Sequence, residues 1–123
     1  MKFLGKFEIF AYTLLRLVFG FLFACHGAQK LFGMFGEHAQ LHNPWMLIGG
    51  IVEFGAGVLI FLGLFTRIAG FLASGEMAVA YFKFHAMHGL FPIVNQGELA
   101  VIYCFVALYI ACRGAGKYGI DKS

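Results

Sequence analysis

Three ionisable residues stand inside long apolar runs of this sequence: Arg16, Glu53 and Glu76. Each lies several residues from the nearest end of its run. An ionised side chain at the centre of a bilayer costs roughly 2.5–3.5 kcal/mol on insertion scales. Three such groups must therefore face inward and be paired, or be neutralised by a proton. Depth along the runs favours an Arg16–Glu76 pair, which leaves Glu53 as the carboxyl without a cation. Two readings stay open. The charges form a buried ion pair that fixes helix register, or they handle charge and protons for a ligand.

A second polar set gathers near the ends of the same runs: His26, Gln29, Lys30, Lys83, His85, Asn95, Gln96 and Glu98. His26 and Lys30 are four apart and share one helix edge. Glu98 opens an apolar run, where a helix N-terminus favours a carboxylate. The set reads either as a solvated rim with a helix cap or as a pocket mouth lined by His26, Lys30, His85 and Glu98. Such a pocket would take an apolar molecule with a polar head, such as a quinone. His85-x-x-His88 and His38-x-x-x-His42 have metal-compatible spacing, but no neighbouring carboxylate or thiolate completes either set, so no metal is expected. Cys25, Cys104 and Cys112 form no CxxC and are odd in number. No nucleophile elbow, P-loop, dinucleotide-binding glycine pattern or HExxH occurs. Haem and iron–sulfur ligand sets are likewise missing, so no cofactor is built in and electrons would come from a partner. Nine scattered Lys and Arg residues, with a net charge of +3, make no nucleic-acid surface.

The elements that must position these residues follow from composition. The chain has 123 residues, enough for one domain over 1–123. It is 61% hydrophobic and 12% charged, with mean hydropathy +0.83. A soluble domain is nearer half apolar and a quarter charged, so a soluble globule and disorder are both excluded. Four apolar stretches run over about 9–32, 45–65, 68–84 and 97–112, each near the roughly 20 residues that cross a bilayer. Their short connections force antiparallel neighbours. The expected fold is an all-α, integral membrane, antiparallel four-helix bundle. Lys2, Lys6, Arg67, Arg113, Lys117 and Lys122 would share one side, against Lys30 and Lys83, which places the N- and C-termini in the cytoplasm. Polar and small residues fall on inward stripes: Arg16, Gly20, Phe23, Gly27, Lys30; then Gly49, Glu53, Gly57; then Ala69, Ala73, Glu76, Ala80, Lys83. A signal-peptide reading of the N-terminus, ending at Leu22-Phe23-Ala24-Cys25, is opposed by Glu8 and Arg16 within its apolar core.

Several stretches together resemble the DoxX family of small bacterial membrane proteins. They are Leu14-Leu15-Arg16 with His26-Gly27-x-x-Lys30-Leu31-Phe32-Gly33, Gly49-Gly50-x-x-Glu53 with Gly63-Leu64-Phe65-Thr66-Arg67, Glu76-Met77-Ala78-Val79-Ala80-Tyr81-Phe82, His85-Ala86, and Asn95-x-Gly97-Glu98-Leu99-Ala100 with Tyr103-Cys104. His88 and Gln96 depart from the family pattern, which often has Arg and Gly there. The resemblance implies a four-helix membrane bundle whose relatives are linked to a thiosulfate:quinone oxidoreductase and to complexes that handle thiol or oxidative stress. The expectation is a multi-pass protein of the bacterial inner membrane, a quinone-interacting subunit of a membrane oxidoreductase. Arg16, Glu53 and Glu76 would handle charge inside the bundle. The bilayer, a quinone, a protein subunit or a second copy would be its partners. The alternative is a non-catalytic membrane scaffold or a small-molecule carrier.

Overall fold

The computed structural model describes residues 2–34, 39, 41–89, 91–95 and 97–121, with backbone alone for Met87, Val94 and Asn95. His38, Gln96 and Lys122, singled out above, lie outside the described residues. A 3-10 turn at Lys2–Phe7 leads into α1, Glu8–Phe32. Then follow α2, Pro44–Leu62, and α3, Thr66–Ala80. The helical backbone continues past α3 through a π-helical turn, Tyr81–His85, and a 3-10 turn, Ala86–His88. A single turn, α4 at Pro92–Asn95, precedes α5, Glu98–Arg113. The described residues contain no strand. The architecture is therefore all-α, with α1, α2, α3 and α5 as its four long elements.

Local chemistry sets these limits. The Asn43 side chain accepts the Trp45 N–H at 3.1 Å and Pro44 opens α2, which together start that helix. Gly63, at φ 71°, ends it three residues before the expected boundary at 65, and its N–H donates to Ile60 O. The expectation of four spanning helices is met in part. Among the described residues two runs, Lys2–Phe32 and Pro44–Leu62, are long and apolar enough to cross a membrane. Regular α3 has only 15 residues and α5 only 16. Glu76 lowers the hydropathy of α3, and the π turn replaces its last regular turn.

α1 packs along α2, α3 along α5, and the two pairs meet through α2 and α3. Glycines set the first contact. A Cβ on Gly20 would stand 2.5 Å from Phe61 N, and one on Gly27 or Gly57 would run into the backbone of Phe54 or Ala24. Gly20, Gly27 and Gly57 of the inward stripes therefore mark where two helix backbones touch. Phe19, Phe23, Ile60, Ala69, Ala73, Ala107 and Ile110 fill the interior. Phe21, Phe71, Ile102 and Phe105 face outward and are more than half exposed, a surface suited to hydrocarbon rather than water.

The tail after α5 folds back on the α2–α3 turn. Ile120 N–H and Asp121 N–H donate to Leu62 O and Gly63 O. The Asp121 carboxylate accepts the N–H groups of Phe65 and Thr66 at 3.0 and 2.9 Å, where α3 begins. Those donors, led by Thr66, hold the Asp121 carboxyl below its ordinary range. Because the folded value is depressed, this contribution is present at neutral pH and is lost as pH falls through it. Arg67 donates to the last carbonyls of α5, at Ala111, Cys112 and Arg113. Arg67, Arg113 and the tail thus share one end of the bundle.

The glycine contacts make a direct prediction. Gly27→Ala and Gly57→Ala push backbone against backbone and should each destabilise the protein by about 1–3 kcal/mol in detergent unfolding. Gly55 and Gly75 have open space where a Cβ would go, so Gly55→Ala and Gly75→Ala should not lower the midpoint. Equal loss in all four variants would mean that α1 and α2 do not meet at these glycines.

Candidate functional site

At the end of the bundle away from the tail lies a cavity of about 400 Å³ to which all four long helices contribute. α1 supplies Phe23, His26 and Lys30. α2 supplies Trp45, Gly49 and Glu53, spaced four apart along one face, with Met46 beside them. α3 adds Glu76, Met77 and Ala80, and α5 adds Leu99, Ala100 and Tyr103. The π turn contributes two consecutive residues, Phe84 and His85. Its wider turn changes the register of the side chains that follow α3.

The polar core of the site is a chain of three side chains. Lys30 Nζ donates to Glu53 Oε1 at 2.7 Å and Oε2 at 2.6 Å. The Glu53 side chain is 1% exposed and that of Lys30 is 25% exposed, so the carboxylate is the more deeply buried partner. The Glu76 carboxyl lines the same cavity beside Glu53. No donor reaches its buried Oε1. Two carboxylates beside one ammonium in a buried space leave a negative charge over unless a proton neutralises it. Gly49 keeps the space over them open: a Cβ there would lie 3.6 Å from Glu53 Oε2 and 3.8 Å from Glu76 Oε2. Beside this chain His26 stands edge-on to Tyr103 at 5.8 Å, and Tyr103 also packs edge-on against Phe19 and Phe23. Lys83 places its ammonium 4.2 Å from the centre of the Trp45 ring.

The structure brings together five residues of the predicted site, His26, Lys30, Glu53, Glu76 and His85, and separates two. Arg16 does not pair with Glu76. Its Nη1 donates to Ile60 O at 2.6 Å and Phe61 O at 2.7 Å, and its Nη2 donates to Tyr118 O at 3.4 Å. The carbonyls in the last turn of a helix lack intrahelical donors and carry its negative pole, so a buried guanidinium caps α2 there. Glu53, expected to lack a cation, has Lys30. Glu98 is exposed in the first turn of α5 and does not line the cavity, whereas its neighbours Leu99 and Ala100 do. Trp45, Gly49 and Tyr103 were not singled out as site residues. The spacing of four from Trp45 through Gly49 to Glu53 was the available signal. Among the described residues no group of three or more His, Cys, Asp or Glu is placed to hold a metal ion.

Comparison with known proteins gives three relatives that span almost the whole chain. A Haemophilus influenzae protein named "Uncharacterized protein" is 38% identical, over 99% of this chain and 96% of its own length. The Bacillus subtilis protein named "Putative oxidoreductase CatD" is 28% identical, over 94% of this chain and 87% of its own. The Escherichia coli protein named "Inner membrane protein YqjF" is 26% identical, over 95% of this chain and 94% of its own. The family profile described as DoxX matches residues 11–86. No solved structure is a significant match.

Lys30→Met should leave Glu53 buried without its cation and destabilise the protein by about 3–5 kcal/mol. Adding Glu53→Gln removes the orphaned charge and should recover most of that loss, read as the unfolding midpoint in detergent. A double variant no more stable than Lys30→Met alone would show that the two charges are not coupled.

Proposed function

The chain belongs to the DoxX family, and from that premise we propose that it is an inner-membrane subunit of a membrane oxidoreductase whose cavity holds a quinone head. The observation that carries this reading is the meeting of Lys30, Glu53, Glu76 and His26 in one largely apolar cavity. Reduction of a quinone to a quinol takes two electrons and two protons. In this reading Glu76 supplies a proton inside the bundle, and His26 and His85 in the same cavity pass further ones. Electrons come from a partner subunit or a soluble donor. The names of the Bacillus subtilis and Escherichia coli relatives agree with a redox role and an inner-membrane location. In this reading all four long helices cross the bilayer, with the tail, Arg67 and Arg113 on the cytoplasmic side.

A second reading, a non-catalytic scaffold or carrier, draws on a different observation. Arg16, Arg67 and Asp121 are all committed to the ends of helices, so part of the charge in this chain only holds the bundle together.

Two measurements test these statements. Titration of the purified protein with a short-chain quinone should saturate. Glu76→Gln or His26→Ala, at matched unfolding midpoint, should weaken binding about tenfold, equivalent to 1.4 kcal/mol. Binding that does not saturate, or that ignores both substitutions, favours the scaffold. For topology, single cysteines beside Arg67 and Lys117 should resist a membrane-impermeant thiol reagent in intact cells, and one beside His42 should react. The opposite pattern would invert the orientation.

A further inference from the structure

The cavity has a polar floor and apolar lips, the reverse of a pocket for a water-soluble ion. Glu53 and Gly49 are buried at its floor. The lining residues most open to the outside are Trp45 at 51%, Leu99 at 49% and Phe84 at 37% exposure. These three belong to the first turn of α2, the first turn of α5 and the π turn, so they ring one end of the cavity. The Lys83 ammonium over the Trp45 ring suits a lip at headgroup level, where Trp and Lys anchor membrane proteins.

The ammonium at the floor is already engaged. Among the described residues that line the cavity, Lys30 is the only Lys or Arg, and both Glu53 oxygens accept from it. An anion would have to draw Lys30 away and leave Glu53 buried without a cation. A cation would meet the Lys30 ammonium beside the carboxyls.

We infer that the cavity takes an amphiphile with an uncharged ring head, seated on the Lys30–Glu53–Glu76 floor, and a single apolar tail that leaves past Trp45, Phe84 and Leu99 into the bilayer. This rests on the reading of the cavity as the ligand site and adds the ligand's charge, its orientation and its way out. Small inorganic anions are excluded as its ligands.

The test uses the intact protein and its single tryptophan, Trp45, as a quenching reporter at the lip. The probes are a decyl quinone, the same quinone without a tail, a ring-brominated decylphenol, and thiosulfate. Leu99→Gln and Phe84→Gln, with unchanged melting, should weaken the two decyl probes at least fivefold more than the tail-less head. Glu76→Gln should act on tailed and tail-less quinone alike. Thiosulfate should neither quench saturably nor displace either decyl probe. Lip substitutions that act equally on tailed and tail-less probes overturn the inference, as does saturable thiosulfate binding. Lip-dependent decylphenol binding without quinone binding would support this inference and reject the quinone reading. Quinone binding indifferent to the lips would do the opposite.

Discussion

The Lys30–Glu53 ion pair is the interaction on which the cavity depends. It joins the last turn of α1 to the middle of α2, two helices whose backbones touch at Gly20, Gly27 and Gly57. Without those glycines the helices would stand further apart and the ammonium could not reach both carboxylate oxygens. The close approach and the ion pair therefore act on the same two helices. Once Lys30 and Glu53 are joined, Glu76 meets a carboxyl instead of a cation. The cavity floor then holds one ammonium beside two carboxyls.

The opposite end of the molecule solves a different problem with the same kinds of residue. Helix ends leave carbonyls and N–H groups without intrahelical partners. Arg16 caps α2, Arg67 caps α5 and Asp121 caps α3. Tyr12 adds a hydrogen bond of 2.5 Å to Gly114 O, tying α1 to the start of the tail. This end is cross-linked through backbone groups. The cavity end is built from side chains of four helices around open space. Backbone cross-links thus sit at one end and the cavity at the other.

The division also explains why a buried arginine and a buried lysine have unlike tasks. Arg16 offers several fixed N–H donors and serves three carbonyls from two segments. Lys30 is a point charge on a flexible stem, which lets it remain partly exposed while its ammonium reaches Glu53.

The sequence by itself determined the class, the helical periods, the inward stripes and five of the residues that line the cavity. An apolar content of 61%, with Arg16, Glu53 and Glu76 inside apolar runs, left few alternatives to an all-α membrane bundle with charges turned inward. These properties depend on spacing of three and four residues, which is local. The partner of each charge was not local. Arg16 and Glu76 looked matched in depth, but the free carbonyls at the end of α2 claimed the arginine. The glycine contact between α1 and α2 delivered Lys30 to Glu53. Glu98 was legible as the start of α5, but the helical rotation of one residue put Leu99, not Glu98, at the cavity. The π turn that gives Phe84 and His85 to the same wall is set by the backbone. Which groups meet is decided by how close two helices approach and how each is rotated, and both are fixed only when the whole bundle packs.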